Sequence, residues 1–259
     1  KPPDMPTTVP TEQCHARSPE ALTGASITYP VGVSHSLREA LSSRVIVADG
    51  GMGTMLQGFD LSLDDFEQLE GCNEVLNATR PDVVEAIHTA YFDAGADCVE
   101  TNTFGTNLSA LNEYDIADRL AALAEAGARI ARRAADAAST PERTRWVLGS
   151  MGPGTKLPSL GHVPFARLRD AYQVQAEAML TGGIDAFQIE TCQDLLQTKA
   201  AVQAAHRAQR ALGLSDVPIL VNVSIETNGT MLLGSEIGAA LVALETLGID
   251  VLEIGRAHV

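Results

Sequence analysis

The sequence predicts an α/β fold in which strands and helices alternate and the strands pair in parallel. Three observations predict it: short apolar runs rich in β-branched residues, longer helical patterns between them, and glycines directly after the helices. Two architectures fit this alternation, a doubly wound sheet and an incomplete (β/α)8 TIM barrel of about five and a half βα units. In both, ligands bind at the carboxyl ends of the strands.

The predicted strands are near-continuous apolar runs, as expected for parallel strands that are buried on both faces. They lie at residues 45–49, 97–103, 146–153, 185–192, 218–226 and 250–254. The phrases AGAD, GGID and LGID precede three of these runs, so the same helix end and strand start is used three times.

The predicted helices carry apolar residues at helical spacing and lie at residues 81–94, about 107–138, 165–181, 194–212 and 235–247. Thr79 is the candidate N-cap of the first helix, because Pro81 suits an opening turn. Candidate C-cap glycines follow the helices at Gly95, Gly182–Gly183, Gly213 and Gly248.

The composition is that of a folded chain. It has 259 residues, of which 45% are hydrophobic and 20% charged, so it can bury a substantial core. We expect residues 1–36, rich in Pro, Thr and Ser, to be a disordered leader or non-native upstream sequence. The barrel is expected at 37–252, and residues 253–259 are expected to be a non-native tail.

The charge excludes several classes of partner. A formal net charge of -15 argues against nucleic-acid backbones and anionic membrane surfaces. No apolar run reaches the length of a membrane span, and the N-terminus lacks a basic-then-apolar signal pattern. These features fit a cytoplasmic enzyme.

The cysteines do not form a recognisable metal or disulfide pattern. Cys14, Cys72, Cys98 and Cys192 include no CxxC pair and no close Cys/His pattern. A disulfide framework is not expected in so large and Cys-poor a chain, so we interpret these residues as small buried hydrophobic groups.

Acidic residues follow four of the predicted strands, at Asp49, Glu100, Glu190 and Glu226. A single acid at such a position is usually a solvated loop residue or a helix cap. Four acids with Thr, Asn and Ser between them instead favour a polar site at the carboxyl ends of the strands.

The glycine-rich segment after Asp49 does not match a dinucleotide-binding loop. From Gly51, the third glycine of a GxGxxG motif would fall on Leu56. Asp49 would also repel a phosphate at close range.

A zwitterionic amino acid fits this segment better. Its carboxylate can accept hydrogen bonds from the backbone of Gly50, Gly51, Met52 and Gly53, where few side chains block the approach. Its ammonium group can bind Asp49 and a second acid such as Glu190 through charge-assisted hydrogen bonds.

Two other classes of function remain open at this point. In a metal-dependent aldolase or lyase barrel, the four acids would hold Mg²⁺ or Mn²⁺ through oxygen ligands. Such a metal site does not require the glycine segment, and no residue of the pattern is a distinct catalytic base. A non-enzymatic binding module is the third possibility, although it would not need so many acids.

Several long segments are similar to one family. They are VIVADGGMGTMLQ, GCNEVLNATRPDVVEAIHTAYFDAGADCVETNTFGTN, GSMGPGTKLPSLGH, ETCQDLLQTKAAV and GTMLLGSEIGAAL. Together they resemble the homocysteine S-methyltransferases, and within that family the N-terminal homocysteine-binding module of the cobalamin-dependent methionine synthases. The resemblance covers roughly residues 37 to 252.

The resemblance implies a (β/α)8 barrel that binds homocysteine over the strand ends, with the thiol on Zn²⁺ held by three cysteines. It implies methyl transfer from methylcobalamin, regenerated from 5-methyltetrahydrofolate by cobalamin and folate domains of the same chain. Asp49 and Glu190 would bind the ammonium group and the Gly50–Gly53 backbone the carboxylate. Thr101, Asn102 and Thr103 would line the pocket.

The sequence departs from the family in its cysteines and its last residues. The family's zinc cysteines lie beyond the fifth strand, whereas no cysteine follows Cys192 here. The final IGRAHV resembles a translated sequencing adapter. We therefore expect a fragment without its own zinc or cobalamin and without activity alone. A stand-alone, cobalamin-independent homocysteine S-methyltransferase is the alternative.

Overall fold

Five parallel strands form one sheet whose spatial order is the order of the chain. The strands are β1 (Cys98–Glu100), β2 (Trp146–Met151), β3 (Ala186–Cys192), β4 (Ile219–Ile225) and β5 (Val251–Ala257). A doubly wound sheet reverses its strand order at a switch point, whereas a (β/α)8 barrel adds each strand beside the last. The fold is therefore that of a (β/α)8 barrel, and β1 and β5 are the open edges of the described sheet.

The computed structural model describes residues 36–257. Its α-helices are α1 (Leu37–Ser43), α2 (Met52–Leu56), α3 (Leu76–Thr79), α4 (Pro81–Ala94), α5 (Leu108–Glu113), α6 (Leu120–Ala138), α7 (Phe165–Gly182), α8 (Leu195–Ala211) and α9 (Ile237–Glu245). None of these described helices is both long and apolar enough to cross a membrane. The leader expected at 1–36, with Cys14, lies outside the described residues apart from Ser36.

The two faces of the sheet bury different sets of residues. On the outer face, Val99, Val147, Phe187 and Val221 pack with the helices in the largest hydrophobic cluster. The inner face carries a second cluster, formed by residues that alternate with the outer ones. Its members from the strands are Cys98, Trp146, Leu148, Ala186 and Leu220.

Helix α1 packs against the inner cluster through Leu37 and Ala40. The sequence analysis did not predict this helix, although a signal for it was present. Ser36 and Glu39 form a reciprocal capping box, in which the Ser36 hydroxyl accepts the Glu39 N–H and the Glu39 carboxylate accepts the Ser36 N–H.

The repeated Gly-x-Asp phrases form the same contact three times. In each, the Asp N–H donates to the carbonyl of one residue in the preceding strand or segment, and the Asp carboxylate accepts the N–H of that same residue. The pairs are Asp97 with Val47, Asp185 with Val147, and Asp250 with Ile219, at 2.6–3.0 Å. We call each pair an Asp clamp, because it fixes one strand against its neighbour.

An arginine neutralises each Asp clamp. Arg44 pairs with Asp97 and Arg132 with Asp185, each at 2.8 Å, and Arg38 of α1 pairs with Asp250. The clamps thus also attach α1 and α6 to the amino ends of the strands.

Three expectations about local structure are wrong. Residues 45–49 form only an isolated bridge between Ala48 and Cys98, since the segment has a partner on one side only among the described residues. The long helix at 107–138 is broken into α5 and α6, because Asp115 adopts a left-handed conformation with φ 57°. Thr79 does not cap α4: it ends α3, and its hydroxyl donates to the carbonyls of Asp65 and Val75.

The other predicted strands and helices are confirmed within a few residues. Gly95 and Gly183 are left-handed C-caps, with φ of 111° and 97°. Strand β5 continues to Ala257 and pairs with β4 through residues 253–257. These five residues thus take part in the described sheet, while their expected non-native origin stays a prediction.

Candidate functional site

Four acidic residues lie close enough to interact on one side of the sheet. Glu100 ends β1, Glu190 lies near the end of β3, Glu253 lies in β5, and Asp49 precedes α2. Electrostatic interactions connect Glu100 to Asp49, Glu190 and Glu253. We call these four residues the acidic cluster.

Glu253 is a member of the acidic cluster that the sequence analysis did not predict. Glu226, which it did predict, directly follows β4, where its N–H donates to the Thr230 carbonyl, and its part in the site stays a prediction. A signal for Glu253 was present in the sequence: Asp250-x-x-Glu253 repeats the spacing of Asp97-x-x-Glu100. Its assignment to a non-native tail concealed that repeat.

Hydrogen bonds orient two of the acids. Both carboxylate oxygens of Asp49 lie 3.1 Å from the Glu100 amide nitrogen, which donates to them. The Ser150 hydroxyl of β2 donates to Glu190 across the sheet. Each bond favours the ionised form of the carboxyl group that accepts it.

Burial and mutual repulsion oppose that ionisation. Burial, together with the charge of Glu190, raises the pKa of Asp49 to about 7. Burial and the charges of Glu190, Asp49 and Glu253 raise the pKa of Glu100 to about 8. Burial also raises the pKa of Glu190, against the effect of the Ser150 hydrogen bond, and the Glu253 charge adds to the rise.

Among the side chains that the structure describes, no Lys, Arg or His forms an ion pair with any member of the acidic cluster. Partly buried carboxylates are normally paired or hydrogen-bonded. The cluster is therefore suited to a ligand that brings its own positive charge.

The glycine segment lies beside Asp49 and is exposed. Gly51 is the N-cap of α2, with φ -62° and ψ 116°, and neither Gly50 nor Gly53 has a positive φ. Glycine is thus not required here by backbone conformation. Within residues 36–257, the N–H groups from Gly50 to Gly53 have no hydrogen-bond acceptor, so they are available to an anionic group.

Thr101, Asn102 and Thr103 are buried just beyond β1 and are hydrogen-bonded to neighbouring elements. The Thr101 hydroxyl accepts the Ser150 N–H, and the Thr103 hydroxyl donates to the Ser150 carbonyl. Asn102 donates to Asn77 and to the backbone at residue 73. These bonds hold Ser150 in place, while direct contact of the three residues with a ligand stays a prediction.

Residue Thr191, next to Glu190, has an unusual backbone. Its φ is 60°, an outlier for a β-branched residue, and the β3–β4 register shifts between Ile189 and Cys192. Such strain and such bulges are frequent at functional sites, where they re-aim a side chain. No local pattern in the sequence indicates this feature.

Two buried polar atoms on the same strands have no protein partner in the described part of the chain. They are the Gln188 Oε1 of β3 and the Ser224 Oγ of β4. Both residues alternate with outward-facing apolar residues and so lie on the inner face with Glu190. Unsatisfied buried polar atoms beside a polar site point to a bound ligand or water.

The described residues do not fit the zinc centre that the family resemblance implies. Cys72, Cys98 and Cys192 are all free and buried. Burial raises the pKa of Cys72 to about 11 and that of Cys192 to about 12, and it also raises the pKa of Cys98. Between residues 36 and 257, no three His, Cys, Asp or Glu side chains are arranged to hold a metal ion, which applies equally to the magnesium site of an aldolase.

The chain is similar to known proteins over most of its length. A profile of the family described as homocysteine S-methyltransferase matches residues 46–255. The chain is 61% identical over 221 residues to methionine synthase of Mycobacterium tuberculosis and 60% identical to that of Mycobacterium leprae. Both alignments cover 85% of this chain and 18% of the relative, so the chain spans about a fifth of the length of these relatives.

A solved structure shares the fold. The apo form of the homocysteine methyltransferase MmuM from Escherichia coli superposes with a TM-score of 0.64 at 20% sequence identity. The alignment covers 85% of this chain and 75% of that protein.

Proposed function

The chain belongs to the homocysteine S-methyltransferase family, and we propose that it is part of the homocysteine-binding barrel of a methionine synthase. The identity of about 60% to two methionine synthases supports this choice over a stand-alone, cobalamin-independent methyltransferase. The acidic composition fits a cytoplasmic location, which we also propose.

The observation that carries the proposal is the position of Asp49 between two complementary features. On one side lie Glu190 and the other acids, which lack a cationic partner among the described residues. On the other lie the backbone N–H groups from Gly50 to Gly53, which lack an acceptor there. An α-amino acid presents an ammonium group and a carboxylate on adjacent atoms, and so matches both.

The residues of the chain then have distinct roles. Asp49 and Glu190 bind the ammonium group through charge-assisted hydrogen bonds. The Gly50–Gly53 backbone binds the carboxylate, and Thr101, Asn102 and Thr103 complete the wall of the pocket. The Ser150 hydroxyl donates to Glu190 and so favours the ionised form that binds an ammonium group.

In the whole protein, the proposed reaction transfers a methyl group from methylcobalamin, regenerated from 5-methyltetrahydrofolate, to the sulfur of homocysteine. Zn²⁺ and cobalamin would be bound by parts of the protein other than residues 36–257. Within those residues, the proposed contribution is to bind and orient the amino-acid end of the substrate.

Isothermal titration calorimetry with L-homocysteine tests the proposal. Asp49→Asn and Glu190→Gln should each weaken binding by roughly 1.5 to 3 kcal/mol, as expected for one charge-assisted bond at a shielded site. Glu85→Gln on α4, an acid paired with Arg133 outside the site, is the matched control. Equal homocysteine affinity in all four proteins would exclude the proposed ammonium site.

A further inference from the structure

We propose that the free site retains a proton among Asp49, Glu100 and Glu190, and that the ammonium group of the amino-acid substrate expels this proton on binding. The inference rests on the proposed function. It adds the number of protons released for each ligand bound and the pH dependence of the affinity. It concerns protons of the protein and not of the substrate thiol.

The geometry brings four carboxyl groups to one side of the sheet from four different segments. Glu100, Glu190 and Glu253 come from β1, β3 and β5, and Asp49 is held on the Glu100 N–H. Carboxylates that share a partly buried site cannot all ionise without a compensating cation, so the site keeps a proton.

Among the side chains that the structure describes, the other elements around the acidic cluster supply no cation. From α4, Tyr91 approaches Asp49, and the charge of Asp49 together with burial raises the pKa of its phenol. From β1, the Cys98 thiol lies below Glu100, and burial and nearby carboxylates raise its pKa as well. The polar inner-face residues of β2 and β4 are Ser150, Asn222 and Ser224, which do not titrate.

The unpartnered Gln188 Oε1 and Ser224 Oγ are a separate indication that this inner face accepts a ligand. A cation bound here would find these neutral oxygens beside the carboxylates. Its positive charge would favour full ionisation of the cluster, and the retained proton would leave to solvent.

The sign of the pH dependence follows from the raised pKa values. Below about pH 7 the free cluster is protonated, so a bound ammonium group must displace a proton and its affinity falls. The pKa values of Asp49 and Glu100 are about 7 and about 8, so both groups ionise without a ligand as pH rises through this range. Above it, the affinity for the ammonium group should level off. For one proton the affinity should rise roughly tenfold per pH unit below this window.

The experiment is calorimetric titration of the whole chain with L-homoserine, in which a hydroxyl replaces the thiol of homocysteine. No group of L-homoserine titrates between pH 6 and pH 8, so the protons released in this range come from the protein. Heats measured at each pH in two buffers that titrate near that pH but differ in ionisation enthalpy give the number of protons released. We expect about one proton per ligand near pH 6 and close to none near pH 8.5.

Glu100→Gln tests the source of the proton, because it preserves the backbone N–H on which Asp49 is held but removes one carboxyl group. It should release fewer protons than the unchanged chain, whereas Glu85→Gln should release the same number. If Glu100→Gln does not fold, the titration of the unchanged chain still decides the question.

The outcomes separate the two proposals. Homoserine binding with the same heat in both buffers at pH 6 to 7 overturns proton release and leaves the proposed function intact. Homocysteine binding without homoserine binding also overturns it, because the thiol rather than the ammonium group would then dominate recognition. Absence of binding by both amino acids removes the proposed function and, with it, this inference.

Discussion

The Glu100 amide nitrogen is equidistant, at 3.1 Å, from the two carboxylate oxygens of Asp49. Asp49 belongs to a segment that forms only one bridge to the sheet, yet its side chain is fixed by the backbone of β1. Because the glycine segment follows directly, this one contact sets the position of both the acid and the exposed N–H groups.

Gly51→Val should weaken amino-acid binding more than it destabilises the fold. The φ of -62° at Gly51 is accessible to any residue, and an added Cβ would lie 3.4 Å from the Thr54 hydroxyl, which is ordinary contact. The branched side chain would instead occupy the approach to the backbone N–H groups. Urea unfolding and homocysteine titration on the same protein separate the effects, and unfolding without a selective loss of binding would contradict the prediction.

Ser150→Ala should shift the pH dependence of amino-acid binding toward higher pH. The variant loses the hydroxyl that stabilises ionised Glu190, so the pKa of Glu190 rises further above its usual range. Thr155→Ala is the matched control, because the Thr155 hydroxyl also donates to a carboxylate, Glu113, but outside the site. Affinities measured from pH 6 to pH 8.5 check this, and superimposed profiles for both variants would exclude the role of Ser150.

His88 should make the protein less stable in mild acid. It is fully buried, neither ring nitrogen has a partner in the described structure, and burial lowers its pKa to about 4. The unfolded chain takes up a proton near pH 6.5 while the folded chain does not, so stability is lost as pH falls from 6.5 toward 4. The loss at pH 5 should be about 2 kcal/mol.

The matched variants for this acid effect are His88→Leu and His162→Gln, the latter an exposed histidine. Urea unfolding at pH 7.5 and pH 5 should show a smaller drop in stability for His88→Leu only. An equal drop in both variants and in the unchanged chain would assign the acid sensitivity to other groups.

Asp185→Ala should destabilise the protein by roughly 1 to 3 kcal/mol, because the Val147 N–H would remain buried without an acceptor. Asp185→Asn should cost less, since its side-chain oxygen can still accept that N–H even though the Arg132 pair is lost. Hydrogen exchange of the Val147 amide should accelerate in the Ala variant and stay slower in the Asn variant. The same rate in both would mean that the clamp does not protect this amide.

The 259-residue chain should retain no stoichiometric zinc after dialysis. Its described cysteines are buried apart from one another and have raised pKa values, which oppose the thiolate form that zinc requires. Metal analysis checks this, with Cys192→Ser as a control that should leave the zinc content unchanged. One tightly bound zinc per chain would reveal a site that residues 36–257 do not display.

Local signals predicted much of the fold, and cross-strand relationships were harder to predict. Gly95 and Gly183 marked helix ends because a left-handed C-cap is a property of a few neighbouring residues. The extended segment at Val45 and Val47 has a strand-like composition, but pairing depends on neighbours that composition does not specify.

In the candidate site, too, residues with a local sequence signal were predicted, whereas residues placed by pairing between strands were not. Asp49 and Glu190 were recognisable because each follows an apolar run. The place of Glu253 depends on the register of β5 against β4, and the bond from Ser150 to Glu190 joins residues 40 positions apart. Neither relationship is visible along a single stretch of sequence.

The Asp clamps bear on how such a barrel can be built and rebuilt. Each clamp contacts both polar groups of a single backbone residue, so it makes no demand on the side chain of that residue. Three of the five described strands, β1, β3 and β5, begin with this same contact. Such a contact can be repeated along a chain, or built into a designed barrel, without constraining the sequence of the partner strand.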